Sequence, residues 1–186
     1  MAVKPWLVGV STPKGDGYEK VTGDLQYVED MVLPGMLYGK ILRSPHAHAK
    51  IKKIDASKAL QLPGVRGVIT AEDTPKIKFS FNEGQEDNLP LADGVVRFIG
   101  DEVAAVACDS PEIAEKALEL IDVEYEVLPA YFTPEDALKE DSLLLHEDRP
   151  RNIAFELHTS YGDVEKAFAE ADYVFEDTFV TSKPAH

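Results

Sequence analysis

Glu102-Val103-Ala104-Ala105-Val106-Ala107-Cys108-Asp109-Ser110-Pro111-Glu112-Ile113-Ala114-Glu115-Lys116-Ala117-Leu118, running on to Asp122-Val123-Glu124-Tyr125-Glu126-Val127, is the stretch on which the fold reading turns. The run from Val103 to Cys108 is apolar throughout, as in a strand covered on both faces. Ser110 then stands where a hydroxyl can cap the first turn of a helix, with Pro111 at the first helical position. Ile113, Ala114, Ala117 and Leu118 follow at helical spacing. Ile121, Val123, Tyr125 and Val127 alternate with Asp122, Glu124 and Glu126, the pattern of a half-buried strand. Strand, helix and strand in about 30 residues read as a right-handed βαβ crossover.

Working outward, residues 49–69 repeat that order in shorter form. Ala49 to Ile54 is a strand candidate. Asp55 can cap a helix from Ala56 to Gln61, Pro63-Gly64 stops it, and Val65 to Ile69 is again strand-like. Before them, Met36 to Ser44 follows a Pro34-Gly35 turn and reads as a strand buried on most of its surface. Thr70-Ala71-Glu72-Asp73 resembles a capping box with aspartate in the acidic place. Residues 76–94 are polar and read as an exposed loop. Residues 1–22 have little periodicity and read as an N-terminal arm, leaving 23–186 as the folded domain.

Beyond Pro129 the pattern loosens. Thr133-Pro134-Glu135-Asp136 opens a short helix, and 140–160 reads mostly as loop with an apolar patch at Leu143-Leu144-Leu145. Asp163 can cap a helix with Val164, Ala167, Phe168 and Ala171 on one face, and Tyr173 to Thr181 reads as a closing strand. The ending at Pro184-Ala185-His186 reads as a chain cut short. The fold class expected is α+β, a mixed sheet flanked by short helices.

Composition bounds function only loosely. The 186 residues carry a formal charge of −15, from 19 basic and 34 acidic residues. That balance argues against nucleic acid or an anionic membrane as partner. No run approaches the roughly 18 apolar residues of a membrane span, and the opening residues lack a signal-peptide core, so a soluble cytoplasmic protein is expected. Cys108 is the single cysteine, which excludes an internal disulfide and a four-cysteine iron–sulfur cluster within the chain.

Candidate chemistry is sparse. His46 and His48 stand two apart and would share a strand face, a spacing that suits two metal ligands. A structural zinc site takes four ligands, and no third is evident, so both are assigned to a turn or strand end. Cys108 lies close to a helix start, but Asp109 beside it opposes thiolate formation, and a small core residue is the stronger reading. Glu83, Glu86 and Asp87 read as a solvated acidic loop. No phosphate-binding glycine loop and no nucleophile elbow are present. No catalytic, cofactor-binding or metal-ligating residue is assigned.

Several strings nonetheless carry a resemblance. They are Lys20-Val21-Thr22-Gly23-Asp24-Leu25-Gln26-Tyr27-Val28-Glu29-Asp30, Leu33-Pro34-Gly35-Met36-Leu37-Tyr38, Arg43-Ser44-Pro45-His46-Ala47-His48-Ala49 and Leu62-Pro63-Gly64-Val65. Gly100-Asp101-Glu102-Val103-Ala104-Ala105-Val106 and Val123-Glu124-Tyr125-Glu126-Val127-Leu128-Pro129-Ala130 complete the set. In this order they resemble the N-terminal part of the molybdenum-binding large subunit of the xanthine dehydrogenase and aldehyde oxidase family. The resemblance implies an a/b hammerhead domain, cut before the molybdopterin-binding part. It departs from the family at Gly100-Asp101-Glu102-Val103, where Gly-Glu-Pro-Val is more usual.

The family's reaction is hydroxylation of an aldehyde or N-heterocycle carbon with oxygen from water. It uses molybdopterin, [2Fe–2S] clusters and, in members that carry a flavin, FAD. The resemblance places those cofactors and the catalytic residues outside this chain. The role it implies here is scaffolding, inactive alone, against the rest of the large subunit and the iron–sulfur and flavin subunits. Weak self-association is a corollary. The alternative from another class is a free-standing binding or assembly module without enzymatic activity.

Overall fold

The computed structural model describes residue 9 and residues 11–81 and 86–182. The chain divides into two compact units, Met1–Tyr131 and Phe132–His186.

The first unit contains α1 (Gly17–Thr22), β1 (Tyr38–Arg43), β2 (Ala49–Asp55), α2 (Ser57–Leu60), β3 (Val65–Thr70), β4 (Val95–Val96), β5 (Glu102–Cys108), α3 (Pro111–Glu119) and β6 (Asp122–Val127). The six strands form two three-stranded sheets, ordered β1-β5-β3 and β4-β2-β6. The apolar run of β5 suits it to the centre of the first sheet, where Val106 pairs with Lys40 and Val68, and Ala105 with Ile41 and Ile69. Ala104, Val106 and Cys108 pack with Ala59 of α2, Ala114 and Ala117 of α3, and Ile121 in one core. Val103 joins Ala49, Ala92 and Val96 in a second core. Ala104, Val106 and Cys108 thus face the first core and Val103 the second, while Ala105 and Ala107, on the same face as Val103, are only partly buried, so β5 is not covered on both faces along its whole length as its unbroken apolar run suggests.

The helix signals hold. Ser110 Oγ accepts a hydrogen bond from the Ile113 N–H at 3.3 Å, with Pro111 at the first helical position. Asp55 accepts from the Ser57 N–H at 3.0 Å, although Ala56 occupies the cap position itself. The Thr70–Asp73 capping box closes both ways around a 3-10 turn at Ala71–Asp73.

The βαβ crossover does not form. β5 and β6 lie in different sheets, and so do β2 and β3; every strand pair in the two sheets is antiparallel. The α+β hammerhead class stands, but as two antiparallel sheets rather than one mixed sheet. The reason lies in β6 itself. A strand that alternates Asp122, Glu124, Glu126 with Val123, Tyr125 keeps one face in water, whereas the strands of a parallel sheet are buried on both sides. Its acidic face answers the lysine-rich β2 region instead: Glu126 pairs with Lys52 and, at 3.9 Å, with Lys50, and Asp122 with Lys58 at 2.7 Å.

Two further expectations change. β1 is an edge strand with alternating burial, not one buried on most of its surface. The 76–94 stretch is only partly an exposed loop, because Leu91 and Ala92 are buried and the Ala92 N–H bonds the Glu102 carbonyl at 2.6 Å. Within the arm, α1 ends on Gly23 at φ +80, a left-handed cap, and buries none of its residues.

In the second unit, α4 (Pro134–Ala137) is capped by Thr133 and α5 (Val164–Glu170) by Asp163. Arg151 and Asn152 take positive φ in a 3-10 turn. The Asn152 side chain offsets that strain by bonding three backbone groups: its amide donates to the carbonyls of Ala137 and Leu143, and its oxygen accepts from the Leu145 N–H. Tyr173–Thr181, expected as a strand, forms no ladder among the described residues. Its apolar residues fall on both faces, so it needs sheet neighbours and covers that this unit does not offer.

Candidate functional site

The polar side chains converge where β1 ends. Past the irregularity between Leu42 and Arg43, the Arg43 guanidinium donates to the Gly100 carbonyl at 2.7 Å and to Glu102 at 2.6 Å. Ser44 then ties the two segments through its backbone: its N–H donates to the Asp101 carbonyl and its carbonyl accepts from the Gly100 N–H, both at 2.8 Å. Gly100 has φ +96, a conformation in which a side chain is strained. The buried Ser44 hydroxyl closes a local turn, accepting from the His46 N–H and donating to the His46 carbonyl, each at 3.0 Å.

Asp101 is half-buried, and its carboxyl accepts from the Arg97 N–H at 2.8 Å. Burial pushes its pKa above the ordinary carboxylate value; the Arg97 N–H opposes that shift and the neighbouring Glu102 charge adds to it. Burial likewise raises the Tyr125 phenol, with the Ser44 hydroxyl pulling the other way and the Asp101 charge reinforcing the rise.

His46 and His48 do not share a face. Neither lies on a strand, because β1 has ended and β2 begins at Ala49. The His46 ring meets Tyr125 edge-on, with centroids 5.0 Å apart. His48 is buried and its Nδ1–H donates to the Pro129 carbonyl at 2.7 Å, while its own carbonyl accepts from the Leu128 N–H at 2.9 Å. The two rings are thus committed to different partners, and the pair pins the exit of β6 beside the entry of β2.

Cys108 is fully buried in the core that β5 shares with α2 and α3. Burial raises its thiol pKa, and the charge of Asp109 raises it further. Asp109 itself is held by a two-pronged contact from Arg66, at 2.8 and 2.7 Å. Glu83 lies outside the described residues. Glu86 is exposed, and Asp87 accepts from the Asn88 side chain at 2.8 Å.

The node of Arg43, Ser44, Asp101 and Tyr125 was not singled out from sequence. One signal was available: a serine directly after a strand and before Pro45, a position where its hydroxyl can close a turn on the backbone two residues on. Chemically the node holds chain segments together. Among the described residues, no buried side-chain nitrogen or oxygen lacks a partner, and no three His, Cys, Asp or Glu side chains are placed to hold a metal ion. A [2Fe–2S] cluster takes four ligands, and the chain has one cysteine. One cysteine does not fit the ligand set of an iron–sulfur cluster.

Known proteins share this architecture. The family model described as aldehyde oxidase and xanthine dehydrogenase, a/b hammerhead domain, matches residues 22–129. The chain belongs to this family and carries its hammerhead domain. It is 44% identical over 176 residues to a probable xanthine dehydrogenase subunit of Bacillus subtilis, covering 95% of this chain and 23% of that protein. It is 39% identical over 180 residues to the nicotinate dehydrogenase large molybdopterin subunit of Eubacterium barkeri, covering 97% of this chain and 42% of that one. Among solved structures, the aldehyde oxidoreductase of Desulfovibrio gigas superposes with a TM-score of 0.76 at 36% identity, over 87% of this chain and 19% of that one. The chain therefore spans less than half the length of each of these relatives. Among the described residues no helix is long and apolar enough to cross a membrane.

Proposed function

We propose that this chain is the scaffolding portion of a cytoplasmic molybdenum hydroxylase whose chemistry lies in sequence outside it. The whole enzyme would hydroxylate an aldehyde or N-heterocycle carbon with oxygen from water. Molybdopterin would be held by the remaining large-subunit sequence, and [2Fe–2S] clusters, with FAD where a flavin is used, by partner subunits. The observation that carries the reading is the second unit: no residue from 132 to 182 is buried, although Phe155, Leu157, Phe168, Tyr173, Phe175 and Phe179 are among them. Apolar surface on that scale is the mark of a face that another protein surface covers. The polar node supports a structural role, since its groups bond one another and the adjoining backbone.

The test compares residues 1–186 with the polypeptide of the complete reading frame co-expressed with the subunits encoded beside it. Molybdenum and iron content are measured, with dye reduction driven by aldehydes and purines. The complex is expected to hold both metals and turn over, and residues 1–186 to do neither. Stoichiometric molybdenum and turnover in residues 1–186, or a complete complex with neither, would overturn the proposal.

A further inference from the structure

We draw no further inference here: the strongest candidate, the open face of the first sheet, where Gly39, Ala107 and Gly67 form one row across the strands and Ile41, Ala105 and Ile69 the next, carries nothing because nothing in the structure shows what covers it.

Discussion

Asp101 is a half-buried carboxyl whose charged form burial disfavours. Its folded pKa is raised, so the folded state holds the proton more tightly than the unfolded chain does. The stability this contributes is fully present below the ordinary carboxylate value and is lost as pH rises through the raised one. Asp101→Asn keeps an oxygen that can accept from the Arg97 N–H but cannot ionise. The variant is therefore expected to match the wild type in acid and to gain on it as pH rises through that window. Urea midpoints taken across the acid-to-neutral range read the difference directly. A variant that loses ground as pH rises would mean that the charge-assisted bond to Arg97 outweighs the burial penalty.

Cys108 makes the complementary case of a group kept neutral by its surroundings. Full burial and a raised thiol pKa both suppress the thiolate that reacts. Labelling by a disulfide reagent at neutral pH is expected to be slow in the native protein, at least about tenfold slower than in denaturant, since reaction must await opening of the core. Labelling at the same rate folded and unfolded would remove Cys108 from the core. This assignment was legible in the sequence, because a cysteine inside an apolar strand behaves as a small hydrophobe. The Ser44 and Asp101 node was legible only in part. Its residues come from segments more than fifty positions apart, and no local pattern announces that Ser44 will meet Asp101.

Among the elements, α3 shows what local signals can and cannot decide. Its start was readable from Ser110-Pro111 and its buried face from the alanine spacing. Those alanines matter because a small side chain lets the helix sit close to β5. Ser110→Ala removes the acceptor for the Ile113 N–H and is expected to cost about 1 kcal/mol. At this chain length that corresponds to roughly 2–4 °C in Tm. Ser110→Thr, which keeps a hydroxyl that can accept from the Ile113 N–H and donate to the Glu112 carboxylate, should recover most of it. Calorimetry on the three proteins checks both steps, and an unchanged Tm in the alanine variant would show that water replaces the cap without loss. What α3 could not disclose was its topology. Strand, helix and strand suggested a crossover within one sheet, yet the alternation of β6 already marked it as a strand with one wet face. The alternation of β6, rather than the order of the elements, is what distinguishes two antiparallel sheets from one crossover.

At the scale of the whole chain, the two units bury very different amounts of themselves. Among the described residues, the buried ones all fall in the first unit, around β5 and the two cores it serves. In the second, Tyr161 is 98% exposed, Phe175 85% and Phe179 88%. Its short helices bury no residue and rest on caps and local polar contacts, with the Ser142 hydroxyl and the Asn152 amide donating to the Asp136 and Ala137 carbonyls of α4. Elements with few buried apolar contacts open at low free-energy cost, and a protease that requires an extended aromatic site finds them first. Limited chymotrypsin digestion of purified residues 1–186 is therefore expected to cut within 155–179 well before it cuts within β1 to β6. It should leave a resistant fragment that retains the antiparallel sheets. Mass spectrometry of the time course locates the cuts. If the same stretch is protected in the complex proposed above, the exposed aromatic side chains are covered there by the rest of that assembly. Cleavage within β5 or α3 at the earliest time points would instead place the weakest part of the chain in its own core, and burial would not set the order in which the two units open.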